Sequence, residues 1–255
     1  MASFRSWTRL LARPHAATFC TVSSALVLFS GGQDSTTCLF WALAPAGLGG
    51  GFETVRAVGF DYGQRHAVEL EQARAIATAA DVPYTVLDLR GLLGGSALIG
   101  ETESVNAAHA LAPDLPASFV PGRNALFLSI AAARAFLDGT QDLVGGMCET
   151  DYSGYPDCRR DFIDAQARAS SLALDAPVRI HTPLMALTKA ETWKLARDLG
   201  TVRGLDVLET VREMSHTDYN GDRSERHAWG YGRLDNPASV LRAQGYAEAE
   251  ANGWV

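Results

Sequence analysis

No Cys-x-x-Cys pair occurs in this 255-residue chain; its four cysteines, Cys20, Cys38, Cys148 and Cys158, stand far apart. A disulfide framework is therefore not expected, and free thiols in a reducing compartment are. No apolar run approaches the roughly 20 residues that carry a helix across a bilayer. A basic excess is lacking too: 22 Lys and Arg stand against 29 Asp and Glu, a formal net charge of −7. That balance argues against direct binding to nucleic acid or to an anionic membrane. Acidic residues are missing from the N-terminus, where MASFRSWTRLLARPHAATFCTVSS carries Arg5, Arg9 and Arg13 and no carboxylate precedes Asp34. Residues 1–24 are expected to form a disordered basic extension outside the fold. The cytoplasm is the expected location, with organellar targeting by this Arg- and Ser-rich segment, or an upstream start codon, as alternatives.

What is present is ordinary for a globular enzyme: 47% hydrophobic and 20% charged residues. Residues 25–29 (ALVLF) form a continuous apolar run, the signature of a strand buried on both faces of a parallel sheet. Similar runs predict strands at 55–60, 84–89 and 143–147, with a short extended piece at 178–182. Helical periodicity predicts helices after Ser35 and over 67–80, 124–137, 158–174 and 189–199. Strands alternating with helices of about 10–15 residues mean βαβ crossovers and an α/β fold with a doubly wound parallel sheet. Residues 91–116, rich in Gly, Ala and Pro, read as a long insertion of the kind that covers a site. From residue 201 the periodicity weakens. The expected division is a sheet domain over 25–200 and a small C-terminal appendage over 201–255.

The central motif is SGGQDS, Ser30 to Ser35, between a buried strand and a helix. Glycines allow close backbone approach, serines add hydroxyl donors, and a helix start offers free N–H groups to an anion. A phosphate or pyrophosphate suits this arrangement, although GxxxxGK[ST] is absent. DYGQRH follows the second strand and CETDYSGYPDCR the fourth, both at the carboxyl edge where open α/β sheets bind ligands. Asp61, Tyr62, Gln64, Arg65 and His66, with Glu149, Asp151, Tyr152 and Asp157, are the candidate substrate-binding residues. Ordinary helix capping is the alternative for the first group. Lys189 opens a helix that Thr188 can cap, placing an ammonium within reach of phosphates. Arg123, in PGRN, offers a planar fork to a phosphate or carboxylate. Cys148 and Cys158 read as buried small residues, since no histidine is spaced to activate them.

SGGQDS resembles the loop of PP-loop ATP pyrophosphatases. FSGGQDSTTCL, FDYGQRH, FVPGRN, CETDYSGYPDCR and TPLMALTKAETW occur in that order and together resemble the 7-cyano-7-deazaguanine synthase family. The resemblance implies ATP-dependent conversion of 7-carboxy-7-deazaguanine and ammonia to the nitrile, in queuosine-type 7-deazapurine biosynthesis, with ATP and Mg²⁺ as cofactors. It implies nucleotide binding by Phe29, Ser30, Gly31, Gly32, Gln33, Asp34, Ser35, Thr36, Thr37, Cys38 and Leu39. Asp34, Lys189 and Arg123 are the implied catalytic residues, and a homodimer is the implied assembly. No glutaminase-type segment is legible, so free ammonia is the expected nitrogen source.

One departure stands out. The family usually carries four zinc cysteines, one in a CYxG-like stretch and three in WGYGCGxCPACxLRxxG. This chain has TDYNG and WGYGRLDNPASVLRAQG, which put Asp218, Arg233, Asn236 and Ser239 at those four positions. Structural zinc favours thiolate and imidazole, so no metal is expected there. Hydrogen bonds and ion pairs, such as Arg233 with Asp218 or Asp235, are expected to serve as the clasp. A diverged enzyme that passes the activated carboxylate to another acceptor such as a protein amine, and a non-catalytic nucleotide-binding subunit, are the alternative functions.

Overall fold

The computed structural model describes residues 22–64, 68–92, 108–109, 112–116, 119–150, 155–218 and 220–255. Five parallel strands form the central sheet: β1 (Ser24–Leu28), β2 (Thr54–Asp61), β3 (Tyr84–Asp88), β4 (Asp142–Val144) and β5 (Arg179–His181), in the order β3-β2-β1-β4-β5. Among the described residues seven α-helices accompany it: α1 (Gln33–Leu43), α2 (Val68–Ala79), α3 (Arg123–Leu137), α4 (Arg160–Leu174), α5 (Lys189–Asp198), α6 (Val207–Met214) and α7 (Pro237–Ala251). Side-chain alternation along β1 builds a core on each face. Ala25 and Val27 pack with α1, α2 and α5–α7, whereas Leu26 packs with α3 and α4. Helices on both faces make the sheet doubly wound, as the sequence pattern requires.

The strand β4 is shorter than the apolar run predicts. Gly145 and Gly146 leave the sheet, and Met147 and Cys148 line a cleft instead. Residues 201–255 do not stand apart from the sheet domain: Val202, Val207, Val211, Trp229, Tyr246 and Ala249 belong to the same buried cluster as Ala25 and Val27. The α7 helix lies directly on α5, where the Trp193 indole donates to the Arg242 carbonyl at 3.2 Å. Gly245 is required by that approach, since a Cβ there would sit 2.6 Å from Lys189 Cγ. Of the insertion, Ala108–His109 and Ala112–Pro116 pair as a small antiparallel ladder.

Candidate active site

The order of strands reverses at β1, whose neighbours are β2 on one side and β4 on the other. Chains leaving β1 and β4 therefore diverge, and a crevice opens at their carboxyl ends. A cleft of about 360 Å³ lies there, lined by Phe29 and Ser30 just after β1, by Phe60 and Tyr62 at the end of β2, and by Gly146 to Cys148 beyond β4.

One end of the cleft suits phosphate. Gly31 turns the chain at φ +82°, and a Cβ would strike Ala73 N and Glu69 O at 2.7 Å, so the position excludes side chains. The α1 helix then opens from Gly32 with no side-chain cap. Its first-turn N–H groups lack intrahelical acceptors and, with the positive end of the helix dipole, favour an anion. Ser35 Oγ accepts from Ser30 N at 3.2 Å and lies 3.1 Å from Ser30 Oγ, which sets the two hydroxyls side by side. Lys189 Nζ reaches in from α5 and donates to both oxygens of Asp34, at 3.0 and 2.9 Å. A reciprocal capping box of Thr188 and Glu191 fixes the start of α5 and hence the root of that lysine.

The other end suits a flat ring. Phe60 and Phe127 stack with centroids 4.1 Å apart, Tyr62 tilts against Phe127 at 5.5 Å, and Tyr155 also lines the wall. Two ionisable groups of the lining feel the Arg123 guanidinium. Burial pushes the Glu69 carboxyl up to about 7, against the pull of the Arg123 guanidinium. Burial also raises the Tyr62 phenol, and Arg123 again opposes the shift.

The floor of the cleft comes from the C-terminal segment. Arg242 is 1% exposed and, among the described residues, has no carboxylate in ion-pair contact; Nε donates to Trp229 O, Nη1 to the hydroxyls of Ser215 and Thr217, and Nη2 to Val211 O, at 2.8 to 3.1 Å. Burial lowers its guanidinium to about 9, eased by the charge of Asp34. His216, wholly buried, is pulled down to about 4, chiefly by burial. Its Nε2 donates to the Asp218 carbonyl at 2.9 Å, which leaves Nδ1 as the bare acceptor of a neutral ring.

The sequence profile of the queuosine biosynthesis protein QueC family matches residues 24–250. This chain belongs to the QueC family. It is 50% identical over 236 residues to the 7-cyano-7-deazaguanine synthase of Bradyrhizobium sp. strain BTAi1, covering 88% of this chain and 94% of that one. The 7-cyano-7-deazaguanine synthase 1 of Rhodopseudomonas palustris strain HaA2 is 48% identical over 237 residues, with coverage of 88% and 94%. The synthase of Caulobacter vibrioides strain NA1000 is 48% identical over 242 residues, with coverage of 90% and 95%.

In this QueC chain the structure gathers Phe29, Ser30, Gly32, Gln33, Asp34, Ser35, Tyr62, Gln64, Arg123 and Lys189 around the one cleft. Thr36, Thr37, Cys38 and Leu39 instead lie inside α1 and are wholly buried; Thr37 Oγ1 donates back to Gln33 O at 3.0 Å. Asp61 bonds the Gly63 N–H at 3.2 Å as a turn acceptor. Asp157 accepts from Asn124 N at 2.9 Å and so satisfies an amide at the start of α3. Glu149 is exposed and outside the cleft lining. Cys148 is buried, as expected, whereas Cys158 is only half-buried. Arg65, His66, Asp151 and Tyr152 lie outside the described residues, as does the N-terminal extension through residue 21. Glu69, Phe127 and His216 join the cleft from outside the quoted motifs, whereas Asn124, Tyr155 and Arg242 lie inside FVPGRN, CETDYSGYPDCR and WGYGRLDNPASVLRAQG without being named as site residues. For Glu69 the signal is its position in the first turn of the helix after DYGQRH.

The four positions that hold zinc cysteines in the family resemblance do meet in space. They meet as Asp218 Oδ2 accepting from Arg233 N at 2.8 Å and Ser239 Oγ at 3.3 Å, while Asn236 Nδ2 donates to Ser239 Oγ at 3.2 Å. The expected Arg233–Asp218 link runs through the backbone amide. The guanidinium points outward toward Glu225, Asp235 and Asp222 at 3.6 to 3.8 Å. A carboxylate, an amide and a hydroxyl already bonded to one another do not fit zinc, which selects thiolate and imidazole. Among the described residues, no group of three or more His, Cys, Asp or Glu is arranged to hold a metal.

Proposed function

We propose that this chain converts 7-carboxy-7-deazaguanine and ammonia into 7-cyano-7-deazaguanine, using ATP. The observation that carries the reading is a cleft whose lining joins an uncapped, serine-lined helix start to an aromatic wall. Phosphates belong at the first end and a planar base at the second. The reacting carboxylate then falls between them, and the chain's membership in the QueC family agrees with that assignment.

In this reading the first ATP activates a carboxylate oxygen. The amides of α1, the Ser30 and Ser35 hydroxyls and Lys189 hold and neutralise the phosphates, so stabilisation comes from groups already in place. Ammonia attacks the acyl carbon, the C–O bond to the activating group breaks, and an amide results. The second ATP activates the amide oxygen. Loss of both nitrogen protons and cleavage of that C–O bond leave the nitrile. Each ATP removes one carboxylate oxygen, so two are consumed per product. Arg123 orients the substrate carboxylate. Glu69, titrating near neutrality, accepts protons released as nitrogen adds. The loop carboxylate Asp34 suits the oxygen preference of Mg²⁺, which supplies charge neutralisation on ATP when bound.

The chain is proposed to act in the cytoplasm with free ammonia; among the described residues no helix is long and apolar enough to cross a membrane. A homodimer is part of the reading and is checked by light scattering of the purified chain. Incubation with the carboxylate, ammonium and Mg-ATP, followed by mass spectrometry, tests the function. The nitrile is the expected product; ATP binding without turnover would contradict it.

A further inference from the structure

The C-terminal knot does more than close a loop. Asp218, Asn236 and Ser239 are 2%, 2% and 0% exposed, and their polar atoms are engaged with one another. Beyond the bonds already given, Asn236 Oδ1 accepts from Ser239 N at 3.0 Å, capping α7, and Asp218 Oδ1 accepts from Asn220 N at 2.7 Å. A metal entering here would have to displace each of these bonds and would gain only one anionic donor.

The knot also faces the phosphate loop. His216 spans the gap: its ring bonds the Asp218 carbonyl at 2.9 Å, and its backbone N–H donates to the Gly31 carbonyl at 2.9 Å. The His216 carbonyl lies beneath Gly32, where a Cβ would approach it to 3.4 Å. On the flank, Ser215 and Thr217 are held by Arg242 at 2.9 and 2.8 Å. Residues 215–218 thus form a short rigid strap, with the knot at one end and the loop at its middle.

We propose that Asp218, Asn236 and Ser239 form a metal-independent clasp that positions the phosphate loop through His216. Asp218 and Ser239 are positioning residues: their side chains bond within the knot, and they act through His216 on the Gly31 carbonyl. The proposal rests on the reading that the loop binds ATP. A clasp built this way sets ATP affinity and leaves recognition of the base, at the far end of the cleft, unchanged.

The test uses the full chain and three readouts: metal content, ATP affinity by calorimetry, and affinity for 7-carboxy-7-deazaguanine. The wild-type chain is expected to carry no stoichiometric zinc and to keep its melting temperature in a zinc chelator. Ser239→Ala removes one hydroxyl from the knot and is expected to weaken ATP binding about five-fold, the size of one hydrogen bond. Affinity for the carboxylate should not change. Asp218→Ala should weaken ATP further, and Asp218→Asn, which restores one acceptor oxygen, should recover part of the loss. Where a variant does not fold, hydrogen exchange on the wild type substitutes. ATP should slow exchange at the His216 and Arg233 amides together, and slowing confined to residues 30–35 overturns the proposal. One equivalent of zinc, or a lower melting temperature with ATP affinity unchanged, also overturns it. A wild-type chain that binds no ATP overturns the ATP reading itself and the clasp role with it.

Discussion

The Lys189 ammonium donates to both oxygens of Asp34 although 155 positions separate them, and so ties α5 to the first turn of α1. The lysine is 10% exposed and the aspartate 28%, so the pair faces the cleft and not open solvent. Lys189→Met keeps the stem that packs on Gly245 but removes the charge. The expected outcome is a folded chain whose kcat/KM for ATP falls by about 100-fold, the usual scale for losing one charge-stabilising donor. Steady-state kinetics beside a melting curve check both halves.

Glu69 makes stability depend on pH in an unusual direction. Its carboxyl is raised from 4.5 to about 7 in the folded chain, so the native state binds more protons than the unfolded state between those values. Its contribution is fully present below about 4.5 and is lost as pH rises through about 7. Glu69→Gln should therefore melt higher than wild type at pH 8 and no higher at pH 4.5. Calorimetric melts at the two values decide it.

Arg242 is a buried cation whose four hydrogen-bond donations among the described residues go to neutral oxygens. Lysine cannot reproduce that fork, and methionine would strand the acceptors. Arg242→Met is expected to cost about 3 kcal/mol or more in denaturant unfolding, and Arg242→Lys somewhat less.

Gly245 tests the seat of α7 on α5. An added methyl meets Lys189 Cγ at 2.6 Å, Cβ at 2.7 Å and its carbonyl carbon at 2.9 Å, so the backbone must shift. Gly245→Ala is expected to lose about 1–3 kcal/mol, the range for overpacking a closed contact, and to weaken ATP binding as Lys189 moves. A melt and an ATP titration measure the two effects.

The sheet was legible because parallel strands buried on both faces are near-continuous apolar runs, as β1 is and as β2 is apart from Arg56. The phosphate end was legible because glycine, serine and a helix start have one shared use. α7 was not. Its buried face is Ser239, Arg242, Gly245, Tyr246 and Ala249, spaced as a helix requires but mostly polar or small, so an apolar scan passes over it. Glu69 was missed for a similar reason: a carboxylate in the first turn of a helix ordinarily faces water. Thr36 to Leu39 were drawn into the site by motif, yet α1 starts at Gln33 and carries them into the core. Asp157, a candidate substrate-binding residue by motif, has the geometry of a helix-start acceptor.

The central claim is that a chain with Asp218, Arg233, Asn236 and Ser239 in place of four cysteines completes both ATP-dependent steps. ATP consumed per nitrile formed measures this most directly, with purified zinc-free protein, ammonium and 7-carboxy-7-deazaguanine. The account predicts two ATP per nitrile and no accumulating amide. One ATP per product, with the amide as the end point, would contradict it.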